Sequence, residues 1–256
     1  MRYAIMSDVH ANPVALETAL KDANAQGCGR FLMLGDTTGY GYDAKAALKL
    51  VRGSFDVVLL GNHDSACLGR EPKLETDLNP HYREDVRQGH LLNKDEASWL
   101  GKRPYLHFEE GAAFVHGTFI RPEHWGYVID EAEASRNFKA RLERLIFCGH
   151  THFATVWEYT VKAGVVEKRL SKAPAVRTES KDFKLQKGHR YIVNVGSVGY
   201  PRNDLCSTYV IWDSDADCVI FRRLPFDFKG YIQSMLDHEV DLPDWLLALL
   251  LASGRH

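Results

Sequence analysis

The chain has 256 residues, 45% hydrophobic and 26% charged, with a formal net charge of -2 and a pI of about 6.6. This is enough apolar material for a sizeable core, and the charge balance lacks the basic footprint that duplex nucleic acid attracts. Five scattered cysteines (Cys28, Cys67, Cys148, Cys206, Cys218) form no CxxC pair, so neither a disulfide framework nor a thiolate zinc site is expected, and they read as reduced residues of a cytoplasmic protein.

The start, MRYAIMSDVH, has no charged segment followed by an apolar one, so no export signal is expected. It runs into the first of several apolar runs, each followed by polar residues of metal-ligand type. YAIM precedes Asp8 and His10, FLML precedes Gly35 and Asp36, and VVLL precedes Gly61, Asn62, His63 and Asp64. AAFV precedes His116, and LIFC precedes Gly149, His150 and His152. Two helices separate the first runs. Asn12 caps one that begins at Pro13, turns Leu16, Ala19, Leu20 and Ala23 to one face and stops at Gly27. Asp43 caps the other, with Ala44, Ala47, Leu48 and Val51 inward and its end at Gly53. Strand, helix, strand, helix, strand is a parallel βαβ series, and ligands bind at the carboxyl ends of such strands. The five polar clusters therefore point to one site assembled from distant segments.

Residues near 66–104 are polar and helical in pattern, with a capping box at Asn93 and Glu96. The charges of this excursion read either as a solvated face or, through Lys73, His81, Arg83 and Arg87, as a cover for the cleft. From Thr155 onward, alternation in TVWEYTVKAG, RYIVNVG, STYVIWD and CVIFRRL predicts strands joined by hairpin-like turns. No repeat or low-complexity linker interrupts the chain, so one domain over residues 1–256 is expected. The apolar tail near 242–252 is about half the ~20 residues of a membrane span. It reads as a helix packed on its own domain or on a second copy, which leaves a homo-oligomer open.

Singly, each polar cluster has an unremarkable explanation: a chance D-x-H, a core histidine at 116, a helix-capping Asp64 beside a surface His63. Jointly, Asp8, His10, Asp36, Asn62, His116, His150 and His152 are oxygen and imidazole donors with no thiolate, a mixture suited to manganese, iron or zinc. The set is too large for one tetrahedral ion and fits two that share a carboxylate. Ions roughly 3.5–4 Å apart clamp the attacking and leaving oxygens of an in-line displacement, which favours phosphoryl chemistry. His63, steadied by Asp64, could pass a proton to the leaving alkoxide. In an extended HTH segment, His150 and His152 would face the same side about 6.5–7 Å apart, one per metal. Arg202 in GYPRND reads equally as a phosphate-binding or a surface arginine, and Asn194 and Ser197 as residues shaping the turn beneath the site.

SDVHAN, LGDTTGYG, LLGNHD, FVHG and CGHTH resemble, in order, the five motifs of the calcineurin-like metallophosphoesterase superfamily. NVGSVGYPRND and STYVIWDSDADCVIFRRLPFDF are similar to the closing segment of its compact bacterial and archaeal phosphodiesterases and phosphatases. The resemblance runs from about Met1 to Phe228 and covers residues 66 to 92 poorly. It implies a four-layer α/β/β/α sandwich, two mixed β-sheets flanked by helices. It also implies a first metal on Asp8, His10 and His152, and Asp36 bridging to a second on Asn62, His116 and His150. His63 then matches the catalytic histidine and Asp64 its orienting acid; apart from the resemblance, Asn62 and, on its phosphate-binding reading, Arg202 are the residues expected to meet substrate. The activity implied is hydrolysis of phosphate mono- or diesters of a small substrate, such as a nucleotide, by a hydroxide shared between two divalent ions. Ala11 stands where glycine is frequent, which matters if that turn needs positive φ. Two other readings remain: a non-catalytic protein-interaction scaffold like the retromer small subunit, and a dinucleoside polyphosphate hydrolase.

Overall fold

A computed structural model describes residues 1–71, 82–160, 165–170, 181–202, 206–243 and 246–247. Its first sheet holds β1 (Arg2–Met6), β2 (Arg30–Met33), β3 (Val57–Val58), β9 (Lys181–Lys184), β11 (Cys206–Asp213) and β12 (Cys218–Pro225), in the order β3-β2-β1-β11-β12-β9. The second holds β4 (Leu106–Glu109), β5 (Ala112–Val115), β6 (Leu145–Cys148), β7 (Thr155–Thr160), β8 (Val165–Leu170) and β10 (His189–Asn194), in the order β4-β5-β6-β10-β7-β8. β1, β2 and β3 are parallel, as are β5, β6 and β10, while β11 and β7 run antiparallel to their neighbours β1 and β10. Both sheets are therefore mixed.

The continuous apolar runs follow from burial on both faces. Alternate residues of β1 face opposite ways. Tyr3 and Ile5 join Leu32, Phe114, Phe147 and Tyr191 in the core between the sheets. Ala4 and Met6 meet helices α1 (Pro13–Ala25) and α2 (Ala44–Ser54) through Leu16, Ala19, Ala47 and Val51. On the far face of the second sheet, Ala134 and Phe138 of α6 (Glu131–Ala140) pack on Val115, Ile146 and Ile192. The result is the expected α/β/β/α layering. Asn12 and Asp43 cap α1 and α2 through Ala15 and Ala46 N–H groups, as their sequence positions require.

The excursion contains α3 (Asn62–Cys67), α4 (Arg83–Leu91) and α5 (Lys94–Gly101), and the Asn93–Glu96 capping box closes in both directions. Lys73 and His81 lie outside the described residues. Arg83 and Arg87 are at the surface, paired with Asp241 and Glu84. The second half departs from a simple hairpin series: β7–β8 and β11–β12 are hairpins, but the chain crosses from β10 to β11 between sheets. β9, unmarked in the sequence pattern, edges the first sheet against β12. Helix α7 (Phe228–Asp237) buries Tyr231, Ile232 and Met235 against Leu246. Trp245 and residues 248–252 of the tail lie outside the described residues. Among the described residues, no helix is long and apolar enough to cross a membrane.

Candidate active site

The five motif loops leave the carboxyl ends of β1, β2, β3, β5 and β6 and converge where the edges of the two sheets meet. The sharp reversals need unusual backbone. Asp8, His10, Ala11, Asp36, Tyr40, His150 and His152 all have φ between 49° and 66°, a left-handed region that costs a non-glycine residue roughly 1–2 kcal/mol. Such strain concentrates at functional sites. Ala11 indeed occupies a turn of positive φ. Asn194 and Ser197 hold the floor: the Asn194 amide donates to the Gly149 carbonyl, and the Ser197 hydroxyl to that of Asp8.

The donors sort into two main groups, each with its atoms within 4.8 Å of one another: Asp8, His10 and His152, and Asp36, His116 and His150. In the first, His152 Nε2 is 3.0 Å from His10 Nε2 and 3.3 Å from Asp8 Oδ1. In the second, His116 Nε2 is 3.1 Å from Asn62 Oδ1, 3.2 Å from His150 Nδ1 and 3.2 Å from Asp36 Oδ2. Asp36 Oδ2 is also 3.8 Å from His10 Nε2, which puts this oxygen between the groups. His150 and His152 fall in different groups, but not by strand alternation. Both are left-handed residues of a loop after β6, so the extended-segment spacing does not apply; the loop, not the strand, separates them.

The donor set fits divalent cations on two counts. Asp8 Oδ1 and Asp36 Oδ2 are buried and make no hydrogen bond, having only imidazole nitrogens at 3.3 Å and 3.2 Å beside them, a costly state for a carboxylate unless a cation compensates it. Each imidazole also spends its outer nitrogen on a backbone carbonyl: His10 Nδ1 on Thr38, His116 Nδ1 on Leu34, His150 Nε2 on Trp125 and His152 Nδ1 on Tyr200. Those bonds fix ring orientation and tautomer and direct the other nitrogen's lone pair inward, as outer partners do for metal-ligating histidines. Burial pushes His10 and His150 down to about 3, keeping them neutral. His116 is buried too, but Asp36 lifts it to about 9, so a cation bound there would displace a proton. Gly61 is required by proximity, since a Cβ there would lie 2.1 Å from Asp36 Oδ1.

His63 sits beside these groups and lines the cleft. Its partner differs from the sequence expectation. Asp64, adjacent in the chain, turns away: it accepts from the Thr38 amide and hydroxyl (both 3.0 Å) and from Gly61 N–H (3.2 Å). As the third residue of α3 its carboxylate caps the helix and ties that turn to the loop after β2. The carboxylate facing His63 Nδ1 is Asp85 of α4, at 2.9 Å and 3.0 Å from its two oxygens. Burial opposes charge on His63, but Asp85 and then Asp36 lift the imidazole to about 9. Burial raises Asp85 to about 6, still below the imidazole. Near neutral pH the pair is an imidazolium facing a carboxylate.

The cleft, ≈ 210 Å³, is lined by Asp36, Asn62, His63, His150 and His152 and rimmed by Tyr40, Tyr82, Tyr127 and Arg202. Tyr82 hydrogen-bonds Asn62, and Tyr127 stacks on His150 at 3.9 Å. Tyr40 belongs to the LGDTTGYG motif, but Tyr82, Tyr127 and Asp85 belong to no local motif; only the three-dimensional arrangement brings them in. A neighbouring cavity of ≈ 240 Å³ shares Tyr40 and continues past Tyr200, Arg83 and Leu242.

Residues 1–217 match the calcineurin-like phosphoesterase superfamily domain. The chain belongs to this superfamily. A metallophosphoesterase from Sphaerobacter thermophilus is 32% identical, with 98% of this chain and 99% of that one covered and a TM-score of 0.81. An uncharacterized protein of Methanocaldococcus jannaschii is 26% identical over 95% of this chain and 94% of its own. A hypothetical protein from Pyrococcus horikoshii, 14% identical with 97% of both chains covered, has the same fold at a TM-score of 0.72. The buried histidine–aspartate groups of the chain are able to hold metal ions.

Proposed function

We propose that the protein is a phosphoesterase that uses two divalent metal ions to hydrolyse phosphate mono- or diesters of small molecules. The observation that carries this reading is the pair of buried carboxylate oxygens, on Asp8 and Asp36, that make no hydrogen bond and face four imidazoles whose outer nitrogens are tied to the backbone. Asp8, His10 and His152 would hold one ion and Asn62, His116 and His150 the other, with Asp36 between. Bound there, such ions supply Lewis acidity toward a phosphoryl oxygen and a nucleophile from water at neutral pH.

The chain's own residues do the rest. Arg202, exposed at the rim and facing Tyr40, Tyr127 and Tyr200, offers a fork of donors to a phosphate oxygen. Asn62, anchored by Tyr82, lies where the same group would meet the cleft floor. His63 Nε2, the nitrogen not engaged by Asp85, donates a proton to the departing alkoxide. A cleft of ≈ 210 Å³ is below the roughly 300–1,000 Å³ of sites that enclose a whole drug-sized ligand. It suits a phosphoryl group, with the alcohol part of the ester extending past Tyr40 toward the adjoining cavity.

The reading is tested by measuring phosphate and alcohol release from aryl monoesters, aryl diesters and a nucleotide panel. Chelated protein is compared with protein reloaded with Mn²⁺, Zn²⁺ or Mg²⁺. Metal-dependent turnover that Asp36→Asn abolishes is expected. Absence of turnover by reloaded protein on every substrate would overturn the reading, and the scaffold alternative would then hold.

A further inference from the structure

The α4 helix sets against His63, behind the cleft, a side chain that no motif announces. Asp85 is fully buried, although it belongs to REDVRQGHL, a stretch otherwise dominated by exposed charge. Its carboxylate meets His63 Nδ1 with both oxygens within 3.0 Å. The backbone makes room for this contact: Gly39 has φ +90°, and a Cβ there would fall 2.6 Å from Asp85 Oδ1 and 2.7 Å from His63 Nδ1. Gln88, one turn further along α4, locks the helix to the same loop. Its Oε1 accepts from Gly39 N–H at 2.8 Å, and its Nε2 donates to the Gly41 carbonyl at 2.7 Å. Gln88 is also fully buried. The face of α4 turned to the site therefore carries a carboxylate, an amide clamp and a matching gap, while Arg83 and Arg87 point to the surface.

We propose that Asp85 is the positioning residue of His63, so that the helical excursion completes the proton-donating machinery of the site in addition to walling its cleft. The inference rests on the phosphoesterase reading. Nδ1–H of His63 donates to Asp85, which fixes the ring so that Nε2 and the proton it gives up face the cleft. As a water-derived hydroxide forms the new bond to phosphorus, the bond from phosphorus to the leaving oxygen breaks, and its electron pair goes to that oxygen, which takes the Nε2 proton. His63 is left neutral, with Nδ1–H still on Asp85, and water later restores the proton. Asp64, committed to Thr38 and Gly61, is not available for this task.

Leaving-group dependence tests the assignment. An activated aryl alcohol departs as its anion without a proton, whereas an alkoxide needs one. In metal-replete protein, Asp85→Asn should lower kcat for an alkyl phosphoester by about 100-fold, within the range of general acid catalysis. It should lower kcat for a dinitrophenyl ester by less than about threefold, leaving KM and metal content unchanged. In a His63→Ala background the same change should have no further effect, because residues acting as a unit are not additive. If Asp85→Asn does not fold, Gln88→Ala, which loosens the helix but keeps the carboxylate, should give the same leaving-group bias more weakly. Equal losses on both substrates, loss of bound metal, or a full additional effect without His63 would each overturn the proposal. Wild-type protein inactive on both esters would instead overturn the phosphoesterase reading, and so the two failures are distinct.

Discussion

Asp64 and Asp85 are both buried aspartates close to His63 in space, one the next residue in the chain and the other 22 positions on. The near one is bonded to the loop after β2, and the distant one to the imidazole. The difference separates two regions of the molecule. The motif loops at the strand ends bring together groups able to hold metal ions, five of them (Asp8, His10, Asp36, His150 and His152) on residues in left-handed backbone. The excursion supplies the partner of His63 from a helix docked by side-chain hydrogen bonds. Adjacency in sequence says little about which carboxylate orients a histidine, because successive residues at a helix start point in different directions.

Substitutions can break or sharpen this division. The largest effect is expected at Asp36, where the shared oxygen lies between the donor groups. Asp36→Asn should reduce metal content and lower turnover on the order of 1,000-fold on every substrate, as loss of several kcal/mol of charge stabilisation implies. Unaltered metal retention, read by elemental analysis, would move the centre away from the motif loops. Asp85→Asn comes next, with the leaving-group bias described above and metal retained; metal loss in this variant would erase the distinction between the regions.

Asp64 should behave as a structural residue. Asp64→Ala leaves the Thr38 and Gly61 amides unpaired in a buried place, a cost of about 3 kcal/mol. For a chain of this size that lowers Tm by roughly 6–12 °C. Whatever turnover remains should show equal loss on aryl and alkyl esters; an Asp85-like bias would reinstate Asp64 as the orienting acid. The smallest effect is expected at Ala11, whose φ of 51° glycine adopts freely. Ala11→Gly relieves strain but enlarges the entropy lost on folding, so stability should hold or rise by at most about 1 kcal/mol, with turnover within about twofold. A clear fall in Tm would contradict the left-handed turn.

Much of this was legible in the sequence wherever short-range chemistry dictates structure. Asn12 and Asp43 mark helix starts, and the apolar runs before Asp8, Asp36, Asn62, His116 and His150 mark buried strands with ligand-bearing ends. The five ordered motifs brought the layered fold with them. Pairings between distant segments were not legible. β9 has no alternation strong enough to mark an edge strand, and the crossing from β10 to β11 is set by packing between sheets. The separation of His150 from His152 was anticipated for the wrong reason, since the pattern LIFC-GHTH does not reveal that both histidines take left-handed backbone after the strand. Asp85 was hidden among charges that read as a solvated face. Its only trace is the helical spacing that puts Asp85 and Gln88 on one side of α4.

The most direct measurement is the metal stoichiometry of the wild-type protein, read by elemental mass spectrometry after reloading and desalting, with hydrolysis of an aryl phosphoester followed on the same samples. Two divalent ions per chain, and turnover that rises only as the second site fills and is abolished by chelation, are predicted. Protein that retains no metal, or that hydrolyses the ester equally well after chelation, would contradict the two-metal site.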